Sequence, residues 1–207
     1  MQMTHIYDAE IRLRGDGTSD AGPTHFFFYA NSMYKPWAGV NTNSAEGGLS
    51  IDRQPRYFDQ MEKIYNHHVV IGSKMTVKFS AAGLDTAAPT RLALRQTDTN
   101  IWDSATSNPQ MFAEFGDGKD RILMATANVP VVMTSKYSAK KRFGKGILAN
   151  SELKCSDNGN CSEGWYYNMI VQNMNPNAPN DVWAIVRIEY ITVWFEIKPT
   201  NQSTIET

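Results

Sequence analysis

Apolar and polar positions alternate along most of this chain, and that period of two predicts strands. Thr4 to Leu13 sets Ile6, Ala9, Ile11 and Leu13 among polar neighbours and runs into Arg14-Gly15-Asp16-Gly17, a turn sequence. His25 to Ala30 is short, aromatic and preceded by Gly22-Pro23, the pattern of a buried strand. His68 to Ser80 places Val69, Ile71, Met75, Val77 and Phe79 on one side, with Gly72 as a candidate bulge. Thr90 to Gln96 opposes Leu92 and Leu94 to Arg91 and Arg95. Arg121 to Ala127 and Val129 to Tyr137 are strand-forming runs parted by Asn128, and Trp165 to Val171 is another. The last strand, Val182 to Ile197, could extend about 50 Å at ~3.3 Å per residue. Its even face carries Val182, Ala184, Val186, Ile188, Tyr190, Thr192 and Trp194. Its odd face carries Trp183, Ile185, Ile191, Val193, Phe195 and Ile197 beside Arg187 and Glu189. A strand apolar on both sides is expected at the centre of a sheet or under a neighbouring subunit.

Helical periodicity is confined to two places. Pro55 suits a first helical turn, after which Tyr57, Phe58, Met61, Ile64 and Tyr65 share a face opposite Asp59 and Lys63. A shorter helix is predicted over Asn108 to Glu114. Breakers are spread evenly and no linker divides the chain, so residues 1–207 form one domain. Eight antiparallel strands with one or two short helices in their connections predict an all-β sandwich of jelly-roll type.

Composition narrows the function classes. The chain has 207 residues, of which 42% are hydrophobic and 11% aromatic, a globular composition. Twenty basic and 21 acidic side chains leave a net charge of −1, which excludes a domain basic throughout. The first residues, MQMTHIYDAEIRLRG, hold neither a basic nor an apolar leader region, so no secretory signal is expected, nor is membrane insertion. Cys155 and Cys161 are the only cysteines, and two free thiols are expected in a reducing compartment.

Catalytic signatures are missing. The four histidines, His5, His25, His67 and His68, form no H-x-H or H-E-x-x-H pair and are expected to be structural. No G-x-S-x-G elbow and no phosphate-binding glycine loop is present. Asp157-Asn158-Gly159-Asn160 reads as a turn rather than a calcium loop, because the distal Glu is missing. Neither an enzyme nor a bound cofactor or metal is expected. The basic residues cluster more than the acidic ones: Lys136, Lys140, Lys141, Arg142 and Lys145 interleave with Tyr137 and Phe143. Cations neutralise phosphates and rings stack on bases, so this is a candidate single-stranded nucleic-acid contact, which Arg12, Arg14, Arg91 and Arg95 could join. The plainer alternative is a solvated turn guarding an edge strand. Trp37, Trp102, Trp165, Trp183 and Trp194 exceed what one small core is expected to bury, so Tyr34, Trp37, Trp183, Trp194 and Phe195 are candidate subunit contacts.

Several blocks recur in order: Asn31-Ser-Met-Tyr-Lys-Pro, Phe58-Asp-Gln with Tyr65-Asn66, Gly72-Ser-Lys-Met-Thr-Val, Ser138-Ala-Lys-Lys-Arg-Phe-Gly and the closing Ile188-to-Glu196 strand. Together, over residues 4–198, they resemble the capsid proteins of small circular single-stranded DNA viruses, the circovirus-like group. The resemblance implies a single viral jelly roll of eight strands and a non-enzymatic coat subunit. It implies about sixty copies closing a T=1 icosahedral shell around circular single-stranded DNA. It places the protein in the virion, with assembly in the nucleus or cytoplasm of a host cell. Its partners would be further copies of itself, viral DNA, and a host receptor or surface glycan. Such proteins usually begin with an arginine-rich arm, whereas this chain starts close to its first strand, so the resemblance supports shell building more than DNA capture. The loops Tyr34 to Ser50, Thr97 to Gln110 and Asn150 to Gly164 are expected on the outer surface. The competing readings are a carbohydrate-binding jelly roll stacking sugars on Tyr34, Trp37 and Trp102, and a cupin-like metalloenzyme, which the missing H-x-H disfavours.

Overall fold

The computed structural model describes residues 1–13, 24–41, 52–81, 88–100, 109–126, 129–144, 146–156, 159–175 and 182–199. Two antiparallel sheets face each other. The first contains β1 (Gln2–Leu13), β10 (Val182–Ile197), β4 (Tyr65–Ala81) and β7 (Val131–Ser138) in that order, with the two-residue β8 (Cys155–Ser156) also on β4. The second runs β3 (Trp37–Asn41), β2 (Thr24–Tyr29), β9 (Tyr166–Asn173), β5 (Thr90–Thr97) and β6 (Lys119–Leu123). Strands consecutive in the chain are repeatedly dealt to opposite sheets, which is jelly-roll connectivity. Among the described residues three short α-helices sit in the connections, α1 (Phe58–Glu62), α2 (Pro109–Glu114) and α3 (Ala139–Phe143), with two 3-10 turns at Ile147–Ala149 and Ser151–Leu153.

The period-two pattern sets what faces inward. Tyr7, Ala9 and Ile11 of β1, Val186, Ile188 and Tyr190 of β10, and Met75, Val77 and Phe79 of β4 enter the space between the sheets. Phe26 and Phe28 of β2, Leu92 and Leu94 of β5, and Tyr167 and Met169 of β9 meet them from the other side. Fully burying each such side chain contributes about 1.5–3 kcal/mol. Polar ties cross this core. The Ser73 hydroxyl donates to the Ala30 carbonyl at 2.5 Å and lies 2.8 Å from the Tyr167 hydroxyl, which accepts the Tyr137 N–H at 3.2 Å. Burial raises the Tyr167 phenol, so it stays a neutral hydrogen-bonding group.

β10 is central, hydrogen-bonded to β1 and β4 along nearly its whole length, as its two apolar faces suggested. Its register with β4 slips between Ile191 and Thr192, opposite Gly72 and Val70, so a bulge lies beside the predicted glycine. Other elements differ from expectation. The helix predicted from Pro55 starts only at Phe58, because Tyr57 takes a left-handed φ of 68° and breaks the first turn. Tyr65 belongs to β4, whose ladder to β10 reaches Ile197 and outcompetes a weak helical continuation. β6 stops at Leu123, short of the predicted Ala127. β3 and α3 fall where only loop or turn was expected. Cys155 and Cys161 form a disulfide, contrary to the free thiols expected. Pairing of β8 with His67 and His68 carries Cys155 into a buried position, and the Cα atoms of the two cysteines lie 4.5 Å apart.

Candidate assembly and nucleic-acid surfaces

Lys136 projects from the exposed face of β7, level with Lys74 of β4. One residue on, Tyr137 points inward and is 3% exposed, which removes it as a stacking platform. After Ser138 the chain turns into α3, with Ala139 buried and Lys140 and Lys141 exposed. Gly144, at φ +80°, ends the helix in a conformation that side chains resist. Lys145 lies outside the described residues, as do Arg14 and Trp102. Phe143 packs edge-on against Trp165 at 6.0 Å, so the second interleaved ring also serves the fold rather than presenting a face to solvent.

Arg142 is held in a polar network. Its Nη2 donates to Asp117 Oδ2 at 2.7 Å and to Gln96 Oε1 at 3.3 Å, and its guanidinium lies 4.7 Å from the Trp165 ring centre. Gln96 Oε1 also accepts the Trp165 indole N–H at 3.2 Å, while its amide donates to Ser135 Oγ and the Lys136 carbonyl. Arg95 reaches Asp117 at 3.8 Å and stacks on Phe115. These groups, with Thr97, Asp98 and Lys141, line an open cleft of about 530 Å³. Asp117 is the hinge of the network. Sequence reading missed it, although the glycine after it was visible: a Cβ on Gly118 would fall 1.5 Å from the Phe112 carbonyl oxygen, so only glycine closes that turn. Of the other arginines named as candidates, Arg91 is paired with Asp120 at 2.8 Å and Arg12 lies 5.8 Å from the Trp183 ring. The predicted basic cluster is therefore split: Lys136 lies on a sheet face and Lys140 on the exposed side of α3, while Lys141 and Arg142 of the same helix line the cleft.

The candidate subunit contacts also divide. Trp194 is 2% exposed, which corrects its assignment to an interface. Its indole N–H donates to His5 Nε2 at 3.1 Å, and His68, Phe58 and Tyr65 surround its ring. The even face of β10 turns inward, and Trp194 follows it. Trp37 packs on Phe26 and Phe28, and Tyr34 on Phe58, so both are half-buried against the chain's own core. Trp183 and Phe195 belong to the outward face of β10. Phe195 is flanked by His67 and Lys154, and Trp183 carries Arg12.

The histidines do structural work. His5 Nδ1 must donate to the Arg56 carbonyl, 3.1 Å away, so Nε2 is free of hydrogen and accepts from Trp194. That arrangement exists only in the neutral ring. Burial accordingly lowers the His5 pKa, opposed by the Arg56 carbonyl, and pushes His68 down to about 3 with further lowering from His5 and His67. Among the described residues no group of three or more metal-ligating side chains converges. No described helix is long and apolar enough to cross a membrane.

No family model and no curated protein sequence matches the chain. Solved structures do. A chain of the mud crab tombus-like virus shares 9% identity with a TM-score of 0.51, covering 97% of this chain and 83% of that one. The T=1 subviral particle of a Penaeus vannamei nodavirus capsid protein deletion mutant shares 5% identity with a TM-score of 0.50, covering 96% and 98%. The fold is the jelly roll of viral capsid subunits. At such low identity the shared property is the path of the chain through its two sheets.

Proposed function

We propose that this protein is a non-enzymatic viral coat subunit that assembles through lateral contacts with copies of itself into a closed icosahedral shell. The jelly-roll connectivity carries the reading, because it matches capsid chains over almost the whole length. Exposed apolar side chains on regular strands support it: Ile185 at 51%, Val132 at 52% and Ile122 at 53% have no role in the chain's own core. The finer version is a T=1 shell of about sixty copies enclosing circular single-stranded DNA, resting on the blocks that resemble circovirus-like capsids. Lys136, Lys140 and Lys141 are its DNA-contact candidates, and the virion is its location. A host receptor or glycan would be read by the outer loops. The carbohydrate-binding alternative loses support, because Trp37 packs into the core instead of standing as a platform.

Electron microscopy of the purified protein tests the proposal. Closed particles of uniform diameter are expected. Nuclease-protected DNA within them would support the finer reading, and protected RNA would overturn it. A field of monomers across a range of salt and protein concentration would contradict shell building.

A further inference from the structure

The outward face of the β1-β10-β4-β7 sheet carries charge on several strands. β1 contributes Asp8, Glu10 and Arg12, with Glu10 and Arg12 exposed and Arg12 over the Trp183 ring. β4 and β7 contribute Lys74, Lys78 and Lys136, with Lys78 and Lys136 exposed. Between them β10 presents Trp183, Ile185, Ile191 and Val193. The acid on β10 is satisfied locally, since Glu189 lies 3.4 Å from Arg187 and 4.0 Å from Lys74. No ion pair within the described residues involves Glu10 or Lys78. Their register is the decisive detail. Glu10 is level with Ile185 across the first ladder, and Ile185 is level with Lys78 across the second. Glu10 and Lys78 therefore flank Ile185 symmetrically, one strand spacing (about 4.8 Å) to either side.

Two copies of one sheet face can meet about a two-fold axis lying in the interface, either along the strands or across them. An axis across the strands sets β1 on β1 and β4 on β4, so that Glu10 never reaches Lys78 and the lysines of β4 face each other. An axis along β10 exchanges the two sides, so that β1 of each copy covers β4 of the other. Level along the strand is kept, so Glu10 then meets Lys78 twice, around an apolar seam of Ile185 and Trp183. Sheets packed face to face hold their strands within about 30° of each other, which this axis satisfies. An isologous contact needs such self-complementarity. We infer that this face is a two-fold contact between copies of the chain, with its axis along β10 and reciprocal Glu10–Lys78 pairs on either side. The inference rests on the shell-building reading and assigns one contact within it.

Charge reversal tests it in the full chain. Glu10→Lys alone and Lys78→Glu alone place like charges together at both contacts, so each should lower particle or dimer yield by about tenfold or more. An equimolar mixture of the two variants should recover the yield, because every mixed pair then meets opposite charges at both contacts, which no pairing within one chain could produce. Unchanged circular dichroism of each variant secures the fold. Wild-type particles with variants that assemble equally well would overturn the contact and leave shell building standing. Loss of nucleic acid in Lys78→Glu without loss of particles would overturn it in favour of a genome-facing sheet. A wild type that forms neither particle nor dimer would overturn both.

Discussion

The His5–His68–Trp194 cluster makes stability depend on pH through identifiable atoms. His68 is 1% exposed, with its ring 4.7 Å from Trp194 and edge-on to Phe58 at 5.4 Å. No acceptor serves its buried Nε2 among the described residues. Burial holds its folded pKa at about 3, while an unfolded chain takes the proton near its ordinary value of about 6.5. The folded pKa is the lower of the two, so protons favour the unfolded chain. The stability that neutral His68 supplies is complete above about pH 6.5 and is lost progressively as pH falls below it. At 1.36 kcal/mol per unit, His68 alone removes about 2 kcal/mol by pH 5. His5 works in the same direction, because protonating Nε2 destroys the acceptor for Trp194. The assay is urea unfolding of unassembled wild type and His68→Phe at pH 7.5 and pH 5. Phe keeps the ring packing and cannot titrate, while His5, His67 and the carboxylates remain in both proteins. The wild type should lose about 2 kcal/mol more than the variant between the two pH values. Equal losses would refute a neutral, buried His68.

Trp194→Ala should cost about 3–5 kcal/mol and threaten folding, whereas Trp183→Ala should leave the denaturation midpoint nearly unchanged and act on particle yield instead. Thermal melting with particle counting separates the two. Arg142→Ala removes the 2.7 Å partner of a half-buried Asp117 and should lower stability by about 1–2 kcal/mol, while Lys140→Ala with Lys141→Ala should be neutral within about 0.5 kcal/mol by chemical denaturation. In assembled particles the same lysine pair should lower the 260/280 nm absorbance ratio, and an unchanged ratio would remove α3 as a nucleic-acid contact.

The long strands were legible because one face is buried and the other is not. β1 alternates most cleanly, and the observed limits of β1, β5 and β10 lie within two residues of those predicted. The bulge was legible from Gly72, which pairs with Ile191 directly beside the skipped residue, Ile71. Short elements were not. Gly39, at φ +133°, and a span of five residues hide β3, and a run of three cations masks the single turn of α3. The tryptophans misled because their count says nothing of direction. Trp194 and Trp183 lie on one strand, yet an odd separation sends one to the core and the other outward. The cleft was illegible in principle, since Asp117, Arg95, Arg142 and Trp165 come from four separate stretches that only the closed sandwich brings together.

Size-exclusion chromatography with multi-angle light scattering tests the central claim most directly. The subunit is 23.3 kDa, so a sixty-copy shell predicts a single peak near 1.4 MDa, about sixty times the subunit mass, that persists on dilution. A mass that stays at one or a few subunits, through salt and concentration series that leave the sandwich folded, would contradict it.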